Sequence, residues 1–250
     1  MYLQHFFWVH SVDRKDKLEK TLVGLSRAEF MQALIAAEKQ FLEKRQVAQT
    51  SALSNTVDIA TNDFISFNWK EVTDPEGLLF PETYHYTAGM KDIEIIQKAF
   101  HKMLEALEVE WAKREQNLPY ANAYEALIMA SIIEKETGLA KERAEIAGVF
   151  VRRLRKGMKL QTDPTVIYGL GKEFNGNLTR VHLQTPNPFN TYMIEGLPPT
   201  PIATASFDAV VAALNPREGH SIFFVAKGDG SHVFSRTLQE HEQAVRLYQK

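Results

Sequence analysis

Leu127-Ile-Met-Ala-Ser-Ile-Ile-Glu-Lys-Glu-Thr-Gly138 is the stretch on which the reading of this chain turns. At 100° per residue, Ile128, Met129, Ile132 and Ile133 gather into one apolar stripe of a helix, and Glu136 projects from its middle. Glu134, two residues earlier, falls roughly 160° away on the opposite side. A carboxyl group on an apolar face cannot shed its desolvation cost into water, so it must find partners or gain proton affinity. The second outcome is what a general acid needs near neutral pH. The bland alternative is a helix-end carboxylate bridged to Lys135, Lys141 or Arg143. Against it, a helix C-terminus disfavours negative charge, so the position is costly twice over.

Outward from this segment, helices dominate the first two thirds. Ser26-Arg-Ala-Glu29 is a capping box opening a helix to about Arg45, with Phe30, Leu34, Ala37 and Phe41 on one face. A second helix is expected over 91–115, with Ile95, Ala99, Met103, Ala106 and Val109 along one side. The central helix runs from Tyr120 to Thr137 with Gly138 as its C-cap, and another from Glu142 to Lys156 stops at Gly157. Gln4 to Val9 reads as a short strand, residues 46–75 as a loop-rich connection, and Phe80-Pro-Glu-Thr-Tyr84 as an aromatic turn.

Between Leu160 and Pro201, six prolines together with Gly169, Gly171 and Gly176 mark mostly turns and loops. Ser206 caps a short helix ending at Asn215-Pro216. Residues 221–227 and 231–235 then read as strands joined by Gly228-Asp-Gly230, and Thr237 caps a last helix. The pattern predicts an α+β fold: a helix-rich N-terminal part, a loop-rich segment, then a β-hairpin plus helix. The boundary falls between an N-terminal segment, 1–75, and a main domain, 76–250.

Composition excludes several classes. With 250 residues and 44% apolar side chains the chain can bury a substantial core. A net charge of −2 carries no nucleic-acid footprint. No cysteine is present, which removes thiol nucleophiles, thiolate metal sites and disulfides. No run approaches the roughly 18–20 apolar residues of a membrane span. The chain is therefore expected to be soluble, or the soluble piece of something longer. The eight histidines show no metal-ligand spacing, so no metal is expected. Lys135 is the only lysine beside the key motif and no glycine-rich phosphate loop accompanies it, so no organic cofactor is expected.

Two further segments carry polar chemistry. In Gln161-Thr-Asp-Pro-Thr165, Asp163 as N-cap and Pro164 at the first helical position start a short helix through Tyr168. Gln161, Thr162 and Tyr168 remain unexplained by capping, and amides, hydroxyls and a ring make a good sugar-binding surface. Asn187-Pro-Phe-Asn-Thr-Tyr192, followed by Gly196-Leu-Pro-Pro199, is part scaffold and part candidate binding loop.

Ala130-Ser-Ile-Ile-Glu-Lys-Glu-Thr-Gly138, Leu160-Gln-Thr-Asp-Pro-Thr-Val-Ile-Tyr-Gly169, Asn190-Thr-Tyr192, Gly196-Leu-Pro-Pro199 and Ile202-Ala-Thr204 together resemble the endolytic murein transglycosylases, the MltG or YceG-like family. Phe80 to Tyr84, Phe223 to Ala226 and Gly230 to Phe234 match further elements, so the resemblance covers residues 76–250 and is weaker before them. It implies a bacterial lyase of cell-wall biogenesis and organization, a lytic transglycosylase that cleaves the MurNAc-GlcNAc β-1,4 bond within peptidoglycan glycan strands and leaves 1,6-anhydro-MurNAc ends. It also implies an N-terminal helix in the cell inner (cytoplasmic) membrane with the catalytic part facing the periplasm or cell wall, a preceding LysM-like module, and the cell-wall synthesis machinery as partners. Here that anchor is absent and residues 1–75 are at most a remnant of the module or a connection to it, from a shortened chain or a divergent N-terminus.

The resemblance assigns the catalytic role to one glutamate of this segment. Glu136 is carried over because Glu136-Thr137 resembles the Glu-Ser of other lytic transglycosylases, and Glu134 is the runner-up. It would act with a single carboxyl, first as acid and then as base. Gln161, Thr162, Asp163, Tyr168, Asn190 and Tyr192 are the expected glycan-holding residues. Glu195 stands where an uncharged residue is expected. The alternatives are a non-catalytic peptidoglycan-binding module and a conventional two-carboxylate glycoside hydrolase using Asp163 or Glu195 as second group.

Overall fold

The computed structural model describes residues 27–51, 72 and 74–249. The expected strand at Gln4 to Val9 and the Ser26 cap lie outside them, as does most of the expected 46–75 connection. The chain forms two compact units, Met1–Ala112 and Lys113–Lys250.

In the first unit, α1 (Arg27–Ser51) packs on α2 (Asp92–Ala112). The face read from the sequence is the buried one: Phe30, Leu34, Ala37 and Phe41 are all at most 8% exposed. His101 of α2 hydrogen-bonds the Ala37 carbonyl at 2.6 Å and stacks on Phe41. Along α2 the expected stripe fails at its end, since Val109 is exposed and Ala106 only half-buried. Four-residue steps advance 400°, so such a row drifts 40° per step around the helix. The buried side instead follows mixed steps of three and four through Ile96, Phe100, Met103, Leu104, Leu107 and Trp111. The Phe80–Tyr84 turn is closed by the Tyr84 hydroxyl donating to the Phe80 carbonyl.

The second unit is built around α3 (Ala123–Glu136). Asn122 caps it by accepting from the Glu125 amide at 3.0 Å. Helices α4 (Ala140–Arg155), α5 (Asp163–Leu170) and α7 (Phe207–Leu214) all pack on α3, while α6 (Arg180–Gln184) lies in the loop-rich segment. This crowding corrects the one-stripe picture: α3 is buried on every side from Ala126 to Ile133, as expected of a central helix. Even Ser131 is enclosed, donating to the Ile128 carbonyl and accepting from the Ile202 amide.

Gly138 is not the cap of α3. Thr137 fills that position in an extended conformation, and its hydroxyl accepts from the Leu139 amide. Gly157 does end its helix, at a φ of +63° that favours glycine.

Strands β1 (Phe223–Ala226) and β2 (His232–Ser235) form an antiparallel pair, Phe223 opposite Ser235 and Ala226 opposite His232. The final helix, α8 (Leu238–Tyr248), opens with a Thr237–Glu240 capping box and packs on both strands. The architecture is α+β, with helices throughout and a small sheet near the C-terminus.

Two consecutive arginines tie the hairpin to α4. Arg152 Nε donates to the Ser221 carbonyl and Arg153 Nε to the Ile222 carbonyl, each at 2.7 Å. Gly148 makes room for this: a Cβ there would lie 2.3 Å from the Arg217 carbonyl oxygen and 2.7 Å from Arg152 Nη1.

Candidate active site

Glu136 is the last residue of α3, where the helix leaves the core. The residue is half-buried as a whole, and its carboxyl group accepts a short hydrogen bond from the Thr162 hydroxyl. Burial pushes its pKa up to about 7, and the negative charge of Asp163 adds to the rise; the Thr162 bond, His232 and Arg153 pull the other way. Thr162 itself is the N-cap of α5, which corrects the expectation that Asp163 would be. Its hydroxyl makes no cap bond and donates to Glu136, and Asp163 becomes the first helical residue, where a negative charge suits the helix dipole.

A knot of three buried threonines holds this turn against the 190–192 turn. Thr162 N donates to Thr191 Oγ1 at 3.1 Å, and Gln161 N donates to the Thr191 carbonyl at 3.1 Å. Thr165 Oγ1 lies 2.8 Å from both the Thr162 carbonyl and Thr191 Oγ1. All three threonines are at most 2% exposed. The sequence reading missed Thr165 and Thr191, since a hydroxyl buried by loop packing leaves no periodic signal.

The remaining expected residues divide between exposed positions and the buried scaffold. Gln161 is exposed, at a φ of +50°, with its side-chain oxygen 3.4 Å from Arg153 Nη1. Asp163 is exposed and accepts from the Tyr192 hydroxyl at 2.6 Å. Burial, then Asp163, raises the proton affinity of Tyr192, so its phenol stays a donor. Tyr168 is half-buried, its ring edge-on to Phe189 at 4.8 Å. Asn190 is 1% exposed, and its amide nitrogen donates to the carbonyls of His182, Leu183 and Thr185. Its oxygen accepts from Tyr192 N. Asn190 thus closes the end of α6 and aims Tyr192.

Glu134 faces elsewhere. It accepts from both the backbone amide and the hydroxyl of Ser206, and its other oxygen lies 3.7 Å from Arg143. Ser206 in turn caps α7, so Glu134 joins α3 to α7. Glu195 is exposed on the turn after Tyr192.

Two residues beside Glu136 escaped the sequence reading. Arg153, 7% exposed, donates to the Leu160 and Ile222 carbonyls and lies over the Phe223 ring. His232 Nδ1 is 2.8 Å from Glu142 Oε2. In the sequence Arg153 looks like one of several cations ending a helix, and His232 like a strand residue. Among the described residues, no group of three His, Cys, Asp or Glu is placed to hold a metal.

A carboxyl pushed up to about 7 by burial, bonded by one hydroxyl and influenced by a second carboxylate and a buried arginine, has the make-up of an acid–base site. The model of the YceG-like family matches residues 12–247, and the chain belongs to that family. It is 37% identical over 223 residues to the endolytic murein transglycosylase of Bacillus subtilis, covering 86% of this chain and 61% of that protein. The endolytic murein transglycosylase of Streptococcus pneumoniae strain D39 is 29% identical over 68% of this chain and 31% of its own length. The crystal structure of a YceG-like protein from Listeria monocytogenes superimposes with a TM-score of 0.63 at 30% identity, covering 91% of this chain and 70% of that one. The chain therefore spans less than two thirds of these curated relatives. Among the described residues, no helix is long and apolar enough to cross a membrane.

Proposed function

We propose that this chain is the catalytic part of a lytic transglycosylase that cuts the MurNAc-GlcNAc β-1,4 bond within peptidoglycan strands, with Glu136 as the sole acid and base. The observation that carries the reading is the Glu136 carboxyl, bonded by Thr162 and pushed up by burial to about 7, so that a protonated acid is available near neutral pH. The names of the relatives support the substrate class. Protonated Glu136 donates to the glycosidic oxygen as the C1–O bond breaks. The resulting carboxylate then removes the proton of the MurNAc C6 hydroxyl, whose oxygen bonds to C1 of the same sugar. The proton count is unchanged, no water is consumed and the ring closure is intramolecular, which gives it a high effective molarity.

In this reading Gln161, Asp163, Tyr168 and Tyr192 supply hydrogen bonds and ring faces to the glycan; Thr162 and Asn190 act by holding Glu136 and Tyr192 in place. The reaction uses no metal or organic cofactor. In the cell the full-length protein is anchored in the cytoplasmic membrane with this part facing the wall, alongside the wall-synthesis machinery.

One feature favours a second reading, hydrolysis by two carboxylates: Asp163 stands beside Glu136. Mass spectrometry of uncrosslinked glycan strands after incubation with the protein separates the two. Anhydro-MurNAc ends are the expected product. Reducing MurNAc ends would establish hydrolysis, and sacculus binding without any release would leave a binding module.

A further inference from the structure

Asp163 and Tyr192 form a device that the acid–base scheme above does not use. Asp163 follows directly on Thr162, whose hydroxyl is fixed on Glu136, so the backbone under Asp163 cannot drift. An exposed aspartate on such a turn would ordinarily swing its carboxylate into water. Here the Tyr192 hydroxyl donates to Asp163 Oδ1 at 2.6 Å, a short charge-assisted bond. Tyr192 is itself aimed by its amide on Asn190 Oδ1 at 3.0 Å, and Asn190 is locked into the scaffold by its three carbonyl contacts. One line of bonds therefore runs from the end of α6 through Asn190, Tyr192 and Asp163 to the turn that grips the acid.

The other charged groups about Glu136 come from three elements. Arg153 reaches it from α4 and His232 from β2, the latter engaged by Glu142. His241 of α8 stacks on the Phe223 ring that also lies under Arg153. On α3 itself, Lys135 is exposed and Glu134 is occupied by Ser206 and Arg143. Asp163, next in the chain to the Thr162 that bonds Glu136, is the anion in this set whose charge bears on Glu136.

We propose that Asp163, pinned by Tyr192, is a positioning residue that holds a negative charge against Glu136 and so keeps the acid in its proton-donating form. This rests on Glu136 being the acid. A like charge disfavours the carboxylate and leaves the carboxylic acid, whereas Arg153 and His232 favour the carboxylate. The Tyr192 bond makes the effect steady, because a wandering aspartate would be screened by water.

The test uses the full chain as wild type, Asp163→Asn and Tyr192→Phe, with two readouts. In the first, carbon-13 NMR of the Glu136 carboxyl is followed against pH without substrate. The wild-type midpoint is expected near 7. It should fall by about half to one pH unit in Asp163→Asn, and by less in Tyr192→Phe, where the charge remains but is no longer held. In the second, the descending limb of kcat/KM for anhydro-end release should move down in pH by the same amounts. An unmoved midpoint, with activity lost equally at every pH, would overturn the proposal and leave the pair as ordinary glycan contacts. Wild-type protein that releases no anhydro ends sinks the transglycosylase reading instead, and the titration still decides the role of Asp163.

Discussion

Glu136→Gln should release no detectable anhydro ends, a loss of at least about 10³-fold in kcat/KM, while making the folded protein more stable above neutral pH. The two effects share one cause. In the unfolded chain Glu136 ionises near its ordinary 4.5, whereas in the native protein burial holds its proton until about pH 7. Between these values the native state binds more protons than the unfolded one, so stability falls as pH rises through that window and stays lowered above it. The full separation corresponds to on the order of 3 kcal/mol. Glutamine carries no such penalty and still offers an oxygen to Thr162. Urea denaturation at pH 5 and pH 8 checks this: the variant's advantage should be small at the lower pH and full at the higher. Glu134→Gln serves as the contrast. It should stay active but lose roughly 1–2 kcal/mol, since Ser206 and Arg143 both lean on its charge. Activity lost at Glu134 and kept at Glu136 would invert the assignment.

The second large effect is expected far from the acid. Gly148→Ala places a methyl on a helix interior, where helix propensity alone favours alanine by about 1 kcal/mol. Packing reverses the sign. The new Cβ would sit 2.3 Å from the Arg217 carbonyl oxygen, and Arg217 is fixed at both ends of its peptide. Its amide donates to the Ala144 carbonyl at 2.8 Å and its carbonyl accepts from Arg152 Nη1 at 2.8 Å. Backbone cannot yield there without breaking those bonds, so we expect a net loss of about 2–3 kcal/mol. Thermal unfolding should show a midpoint lowered by about 5–10 °C. An unchanged or raised midpoint would mean that the 215–222 segment is held more loosely on α4 than these bonds imply.

How far the sequence could be read depended on the kind of signal each element leaves. The Phe30–Phe41 face, the Ser206 and Thr237 caps and the Gly228–Gly230 turn are set by local chemistry, and their reading agrees with the structure. The stripe on α3 was a partial view, because residues from three helices bury the side that looked polar or neutral. The N-cap of α5 lies one residue before Asp163, and the hydroxyl of that residue, Thr162, donates to Glu136, a partner 26 positions away. Arg153, Thr191 and His232 were illegible for the same reason. Each gains its place from a contact made only after distant segments meet, and no spacing within one element encodes that.

The threonine knot carries a consequence for how the region between Leu160 and Pro201 behaves. Its prolines and glycines suggest a slack connection, yet the amides of Gln161 and Thr162 are bonded to Thr191, which is buried together with Thr162 and Thr165. Deuterium should enter those two positions at rates set by wholesale unfolding rather than by local fraying. The turn that bonds Glu136 is then as stiff as the helices around it.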